Sequence, residues 1–129
     1  MAINPEEWMR QAEYDMDSAD CLLAGKRYFH AVFFCHLSVE KALKGIIHKT
    51  AGKTPPKSHD LLYLLSLTPL QMPDQFRKYL STVNEVAVLS RYPAELIRME
   101  ENFTLEASNA IIKQGKELLQ WITVEFTKL

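Results

Sequence analysis

The chain has 129 residues, 47% of them hydrophobic and 24% charged. That is one domain's worth of ordinary globular composition, and it excludes a mostly disordered chain. Lys and Arg total 15 against 16 Asp and Glu, a net charge of -1 that argues against bulk coating of nucleic acid but leaves room for a local basic patch.

Asn4-Pro5-Glu6-Glu7 reads as a helix start, with Asn as cap, Pro at the first helical position and acids in the first turn. This helix is expected to run to Ala24 and stop at Gly25. Trp8, Ala12, Ala19, Leu22 and Leu23 form its apolar stripe, and Asp15 falls in the middle of it. A buried carboxylate is costly unless paired, so Asp15 either reaches water through loose packing or meets a cation or a helix end. A second helix is expected over residues 28–51, stopping at Gly52, with Val32, Cys35, Val39, Ala42, Leu43, Ile46 and Ile47 facing inward. His36 and Glu40 stand one turn apart at the edge of that stripe. Two ligands are too few for a metal, and a hydrogen bond on the helix surface is the simpler reading. No metal and no cofactor are expected.

Lys41, Lys44 and His48 are placed on the opposite face of that helix, and Lys49, Lys53 and Lys57 follow. From Lys41 to Lys57 there are five lysines and no acid. Such a run is either a plain solvated face or an anion site for a nucleotide, RNA or an acidic surface, with Lys41, Lys44, Lys53, Lys57 and His59 as its contacts. A P-loop is excluded, because no GxxxxGK cradle is present. Thr54-Pro55-Pro56 forbids further helix, and Ser58 is expected to cap a short one near residues 59–66. His59 either locks this loop onto the body of the domain or serves as a base.

Pro73-Asp74 opens a helix to about Ser90, with Phe76, Tyr79, Leu80, Val83 and Ala87 inward. Arg91 continues that stripe and requires a carboxylate, for which Asp15 and Glu40 are the candidates. With them it makes up an expected buried polar centre of Asp15, Glu40 and Arg91, in which Asp15, or failing it Glu40, bonds Arg91 or His59. Pro93 interrupts the next stretch, and Thr104 caps a last helix over residues 104–127. Its inward residues are read as Ala107, Ala110, Ile111, Leu118, Trp121 and Ile122. Phe34, Leu37, Ile112, Leu119 and Phe126 then spill beyond the stripes, which predicts a two-fold homodimer through one or both helices.

Four long amphipathic helices with mostly short links predict an all-α, antiparallel up-and-down four-helix bundle with an extra short helix, a single domain over residues 1–129. Cys21 and Cys35 show no CxxC or zinc-like spacing and read as reduced thiols. With no secretory signal and no apolar run long enough to span a bilayer, the expected location is the cytoplasm, with no membrane contact.

Several of these residues, taken in order, also carry a resemblance. They are Trp8, Ala12, Asp15 and Ala19; Tyr28, Ala31 and Phe33; Val39-Glu40-Lys41-Ala42-Leu43-Lys44-Gly45, similar to an AEKALKA motif; Ser58-His59-Asp60-Leu61 with Leu64-Leu65; Arg91-Tyr92-Pro93; and Ala107, Ala110 and Trp121. Together they resemble the HEPN domain in its small stand-alone prokaryotic form, over nearly the whole chain. The resemblance implies a helical bundle that forms a homodimer. It further implies a nucleotide-binding interaction module acting with a minimal nucleotidyltransferase as one half of a toxin–antitoxin pair. Ribonuclease members carry Arg-x4-6-His. This chain departs from that pattern, since its histidines are His30, His36, His48 and His59 and none follows Arg91. A protein that is not an enzyme by itself is therefore expected. The alternatives are a metal-independent RNA-cleaving toxin, with His59 and Arg91 as candidate catalytic residues, or a non-catalytic dimeric scaffold.

Overall fold

A computed structural model describes residues 3–91 and 96–129, and of residues 87–91 and 96 the backbone alone. The side chains of Ala87 and Arg91, with all of Tyr92 and Pro93, thus lie outside the described residues. Six helices are present among those described: α1 (Pro5–Ala24), α2 (Tyr28–Ala51), α3 (Leu61–Ser66), α4 (Asp74–Arg91), α5 (Leu96–Asn102) and α6 (Leu105–Thr127).

Local chemistry sets the starts. Asn4 Oδ1 accepts from the Glu7 N–H at 2.7 Å, with Pro5 at the first helical position of α1. Thr104 Oγ1 accepts from the Ala107 N–H at 3.2 Å to start α6. At α3 the cap is Asp60 rather than Ser58. Asp60 Oδ1 accepts from the N–H groups of Leu62 and Tyr63, while Ser58 Oγ accepts from the Asp60 N–H one step upstream. The carboxylate carries the charge that the helix start favours. No expectation covered α5. It has seven residues, and Met99 is its buried one among the described side chains, so no helical period is there to read.

The long helices form an antiparallel up-and-down bundle, with α2 touching every other helix. Gly45 of α2 sits beside Met9, Trp8 and Pro5, and Ser38 donates to the Ala12 carbonyl, so α1 and α2 run in opposite directions. Helices α2 and α6 are diagonal partners and run parallel, since Cys35 lies beside Gly115 and Lys49 reaches Phe126. They nevertheless touch, because both positions at the crossing are small. A Cβ on Gly115 would collide with Cys35 Sγ and lie 2.7 Å from Tyr79 Oη. In the core Leu43, Ile46, Leu61, Leu64, Leu80, Leu118 and Ile122 are fully buried. Each contributes roughly 1.5–3 kcal/mol of apolar burial.

The inward stripes of α2 and α4 are as expected over their described side chains, but that of α6 is not. Its buried residues are Ser108, Ile112, Gly115, Leu118, Leu119, Ile122 and Phe126, whereas Ala107 and Ala110 are exposed. Ile112, Leu119 and Phe126 therefore belong to the monomer's own core and are no surplus surface for a partner. Phe34 and Leu37 of α2 are half-buried. The large exposed apolar side chains lie elsewhere, among them Tyr14, Tyr63, Ile97 and Leu105. No helix among the described residues is long and apolar enough to cross a membrane.

Candidate functional site

The middle of α2 puts His36, Glu40 and Lys44 on one face at successive four-residue steps, and this face is buried. Glu40 is 3% exposed, and its two oxygens are used separately. Oε2 takes Lys44 Nζ at 3.2 Å, and Oε1 takes His59 Nδ1 at 2.9 Å. His36 Nδ1 stands 3.9 Å from the same Oε1. His36 is 1% exposed, so the expected His36–Glu40 contact is an interior one and not a surface pair. A carboxylate can only accept, so His59 Nδ1 carries the proton of that bond. The other ring nitrogen, Nε2, is left on a side chain that is 56% exposed. A buried carboxylate thus fixes the tautomer and the direction of a half-exposed imidazole.

The segment bearing His59 is held from two further sides. Pro55 is buried, and Asn84 of α4 clamps the start of α3. Asn84 Oδ1 accepts from the Leu61 N–H, and Asn84 Nδ2 donates to Asp60 Oδ1, both at 3.0 Å. Sequence reasoning missed Asn84, since an asparagine at the edge of an amphipathic helix carries no mark of its partner.

Asp15 is buried at 6% exposure, which rules out the loosely packed, solvated reading. Its partner is neither His59 nor any described part of Arg91. Lys41 Nζ meets Asp15 Oδ2 at 2.9 Å, across the α1–α2 interface. Glu40, the fallback carboxylate, is the one that holds His59. Lys41 and Lys44 therefore lie neither on a plain solvated face nor free to contact an anion. Lys41 and Lys44 are spent on Asp15 and Glu40, and Lys44 also lies 5.9 Å from the centre of the Trp8 ring. Lys49 donates to the Phe126 carbonyl at 2.9 Å and sits 4.1 Å from the centre of its ring. The run contains no acid, but acids and carbonyls from other turns and helices reach it. Lys53 and Lys57 remain exposed on the loop with His59. Lys53 borders an open cleft of about 440 Å³ with Thr54, Pro56, Tyr63 and Leu67.

Cys35 offers no nucleophile in this region. Burial pushes the Cys35 thiol up to about 11, partly opposed by its hydrogen bond with Tyr79 Oη at 3.3 Å. Burial likewise raises Tyr79, whose hydroxyl donates to the Ile111 carbonyl at 2.7 Å. Among the described residues no cluster of three or more His, Cys, Asp or Glu could hold a metal ion.

A model of the HEPN domain matches residues 5–125. Two solved structures share the fold. One is ST0689, an archaeal HEPN homologue, with a TM-score of 0.78 and 24% identity over 97% of this chain and 99% of that one. The other is TT1696 from Thermus thermophilus, with a TM-score of 0.79 and 22% identity over 92% of this chain and 95% of that one. No curated protein matches. The family match spans nearly the whole bundle, including the α2 face and the His59 loop just described: the chain belongs to the HEPN domain family.

Proposed function

We propose that this HEPN domain is a homodimeric, cytoplasmic interaction module that binds a nucleotide and acts with a minimal nucleotidyltransferase as one half of a toxin–antitoxin pair. It is not an enzyme by itself. The nucleotide's phosphate meets Lys53, Lys57 and His59, while Lys44 acts indirectly by fixing Glu40 beneath the loop and Lys41 by pairing with Asp15 across the α1–α2 interface. The observation that carries this reading is that buried Glu40 holds the half-exposed His59 on the same loop as two exposed lysines. Lysine serves as a point charge for phosphate, so binding is expected to be modest and weakened by salt. The nucleotidyltransferase partner and the homodimer are part of the proposal, and the resemblance to small stand-alone members of the family is what supports them. The test is to read the neighbouring reading frames for a minimal nucleotidyltransferase, whose absence contradicts the reading, and to co-express the one found with this chain. Joint purification as a complex supports the reading, and separate elution of the two at low and moderate salt contradicts it.

A second reading draws on the same pair. A carboxylate orienting a histidine is an arrangement that serves general-base catalysis, so RNA cleavage is worth measuring directly. Labelled total RNA incubated with the pure protein should stay intact under the first reading. Cleavage that His59→Asn abolishes would replace it with the second.

A further inference from the structure

At the far end of α2 from the lysine loop, the α1–α2 turn and the end of α5 enclose a part-open cavity of about 610 Å³. This is within the roughly 300–1,000 Å³ of small-molecule sites. Lys26, Arg27 and His30 bring cationic or protonatable groups to it, Phe29 and Phe103 bring aromatic walls, and Glu100 is its one acid among the described lining residues. The aromatic walls are built into the fold. Phe103 is 4% exposed, and its ring centre lies 6.2 Å from that of Phe29. The cationic side is not compensated from within. Among the described residues Lys26, Arg27 and His30 make no ion pair and no side-chain hydrogen bond, unlike Lys41, Lys44 and Lys49. The first turn of α2 contains no acid and receives no side-chain cap, which leaves the same rim still more positive. Lys26 is also the one described non-glycine residue with left-handed backbone, at φ 63°. That conformation ends α1, with the Lys26 N–H on the Leu23 carbonyl and the Arg27 N–H on the Leu22 carbonyl, and it fixes where the two side chains leave the turn.

We propose that this cavity is a binding site for a small anionic aromatic ligand, a flat ring bearing a phosphate. The ring packs against the aromatic wall that Phe29 and Phe103 present to the cavity, and the phosphate meets Lys26 and Arg27. Arg27 supplies the forked donor that the lysine loop lacks. The site goes beyond the proposed function. Glu40, which holds His59, lies 12 residues along α2 from Tyr28, about 18 Å at the rise of an α-helix.

The test is an NMR titration of the ¹⁵N-labelled full chain with phenyl phosphate, alongside inorganic phosphate and phenol separately. A nucleoside monophosphate and pyridoxal phosphate are then compared, to tell a nucleotide from another phosphorylated aromatic compound as the source. Phenyl phosphate should shift the amides of residues 26–30 and Phe103 saturably, and more tightly than either half alone. Lys26→Asn combined with Arg27→Gln alters two exposed side chains, and asparagine tolerates the left-handed backbone, so the circular dichroism should not change. This double variant should weaken binding roughly tenfold or more, the scale for losing a charge-assisted bond. Lys53→Glu with Lys57→Glu should leave these shifts in place, which separates this site from the lysine loop. The proposal is overturned by shifts confined to other residues, by phosphate alone binding as tightly as phenyl phosphate, or by affinity that survives the Lys26 and Arg27 replacements.

Discussion

Glu40 is the interior residue on which Lys44, His59 and His36 converge. Replacing it by Ala leaves Lys44, whose side chain is 9% exposed, as an uncompensated buried charge. The expected cost is about 3–5 kcal/mol in urea unfolding, the scale for breaking a buried pair. Glu40→Gln should cost less, because an amide oxygen can still accept from Lys44 or His59. Asp15→Ala should cost about 1–3 kcal/mol, since Lys41 is 21% exposed and can turn toward water. A loss near zero would mean that the Asp15–Lys41 contact contributes nothing. The chemical types of this centre were legible in the sequence, because carboxylates and cations interrupt apolar stripes. Their pairing was not. Asp15 and Lys41 meet only when α1 packs against α2, and nothing in a linear pattern ranks Lys41 above His59 as a partner. Alkaline titration gives another residue-scale outcome. Cys35 holds its proton up to about 11 in the folded chain against 9.0 for an ordinary thiol. The folded state therefore binds more protons than the unfolded one in that window. Stability should be intact below pH 9 and fall through pH 11, by about 1.4 kcal/mol per pH unit, as the unfolded thiol ionises and the folded one does not. Tyr79 acts in the same direction at higher pH. Cys35→Ser should flatten the first part of the decline in urea midpoints measured from pH 8.5 to 11.

Helix ends were legible because caps and breakers are local chemistry, as with Asn4-Pro5 and Thr104. The inward face of α6 was misjudged for a different reason. Ala107 and Ala110 count as apolar, whereas Ser108 and Gly115 do not, yet a close helix crossing selects small side chains over apolar ones. Gly115→Ala tests this directly. A methyl group there meets Cys35 and Tyr79 at once, and the gain in helix propensity of roughly 1 kcal/mol does not offset the overpacking. A net destabilisation of about 1–3 kcal/mol is expected by thermal or urea unfolding. A stabilised variant would show that α2 and α6 are further apart than described. The short α5 stayed invisible because a helix of seven residues with a single buried described side chain has no period.

At the scale of the molecule, a homodimer remains the expectation, but its basis has moved. Ile112, Leu119 and Phe126 fill the monomer core, so a dimer must draw on surface such as the half-buried Phe34 and Leu37 or the exposed Tyr63. Sedimentation at micromolar concentration should give twice the chain mass. A monomer there would remove the homodimer from the proposed function. The bundle was legible from four amphipathic stripes. The usable part of the lysine run was not, because only the packed structure separates the lysines that tie the bundle together from Lys53 and Lys57. The most direct test of the central claim, that the loop of Lys53, Lys57 and His59 holds a nucleotide, is calorimetric titration of a nucleotide panel at low salt. It compares the unmodified protein with Lys53→Glu/Lys57→Glu. Saturable binding of one nucleotide, weakened by added salt and lost in the double variant while the fold persists, is the predicted result. No binding by any nucleotide, or binding unchanged in the double variant, would contradict it.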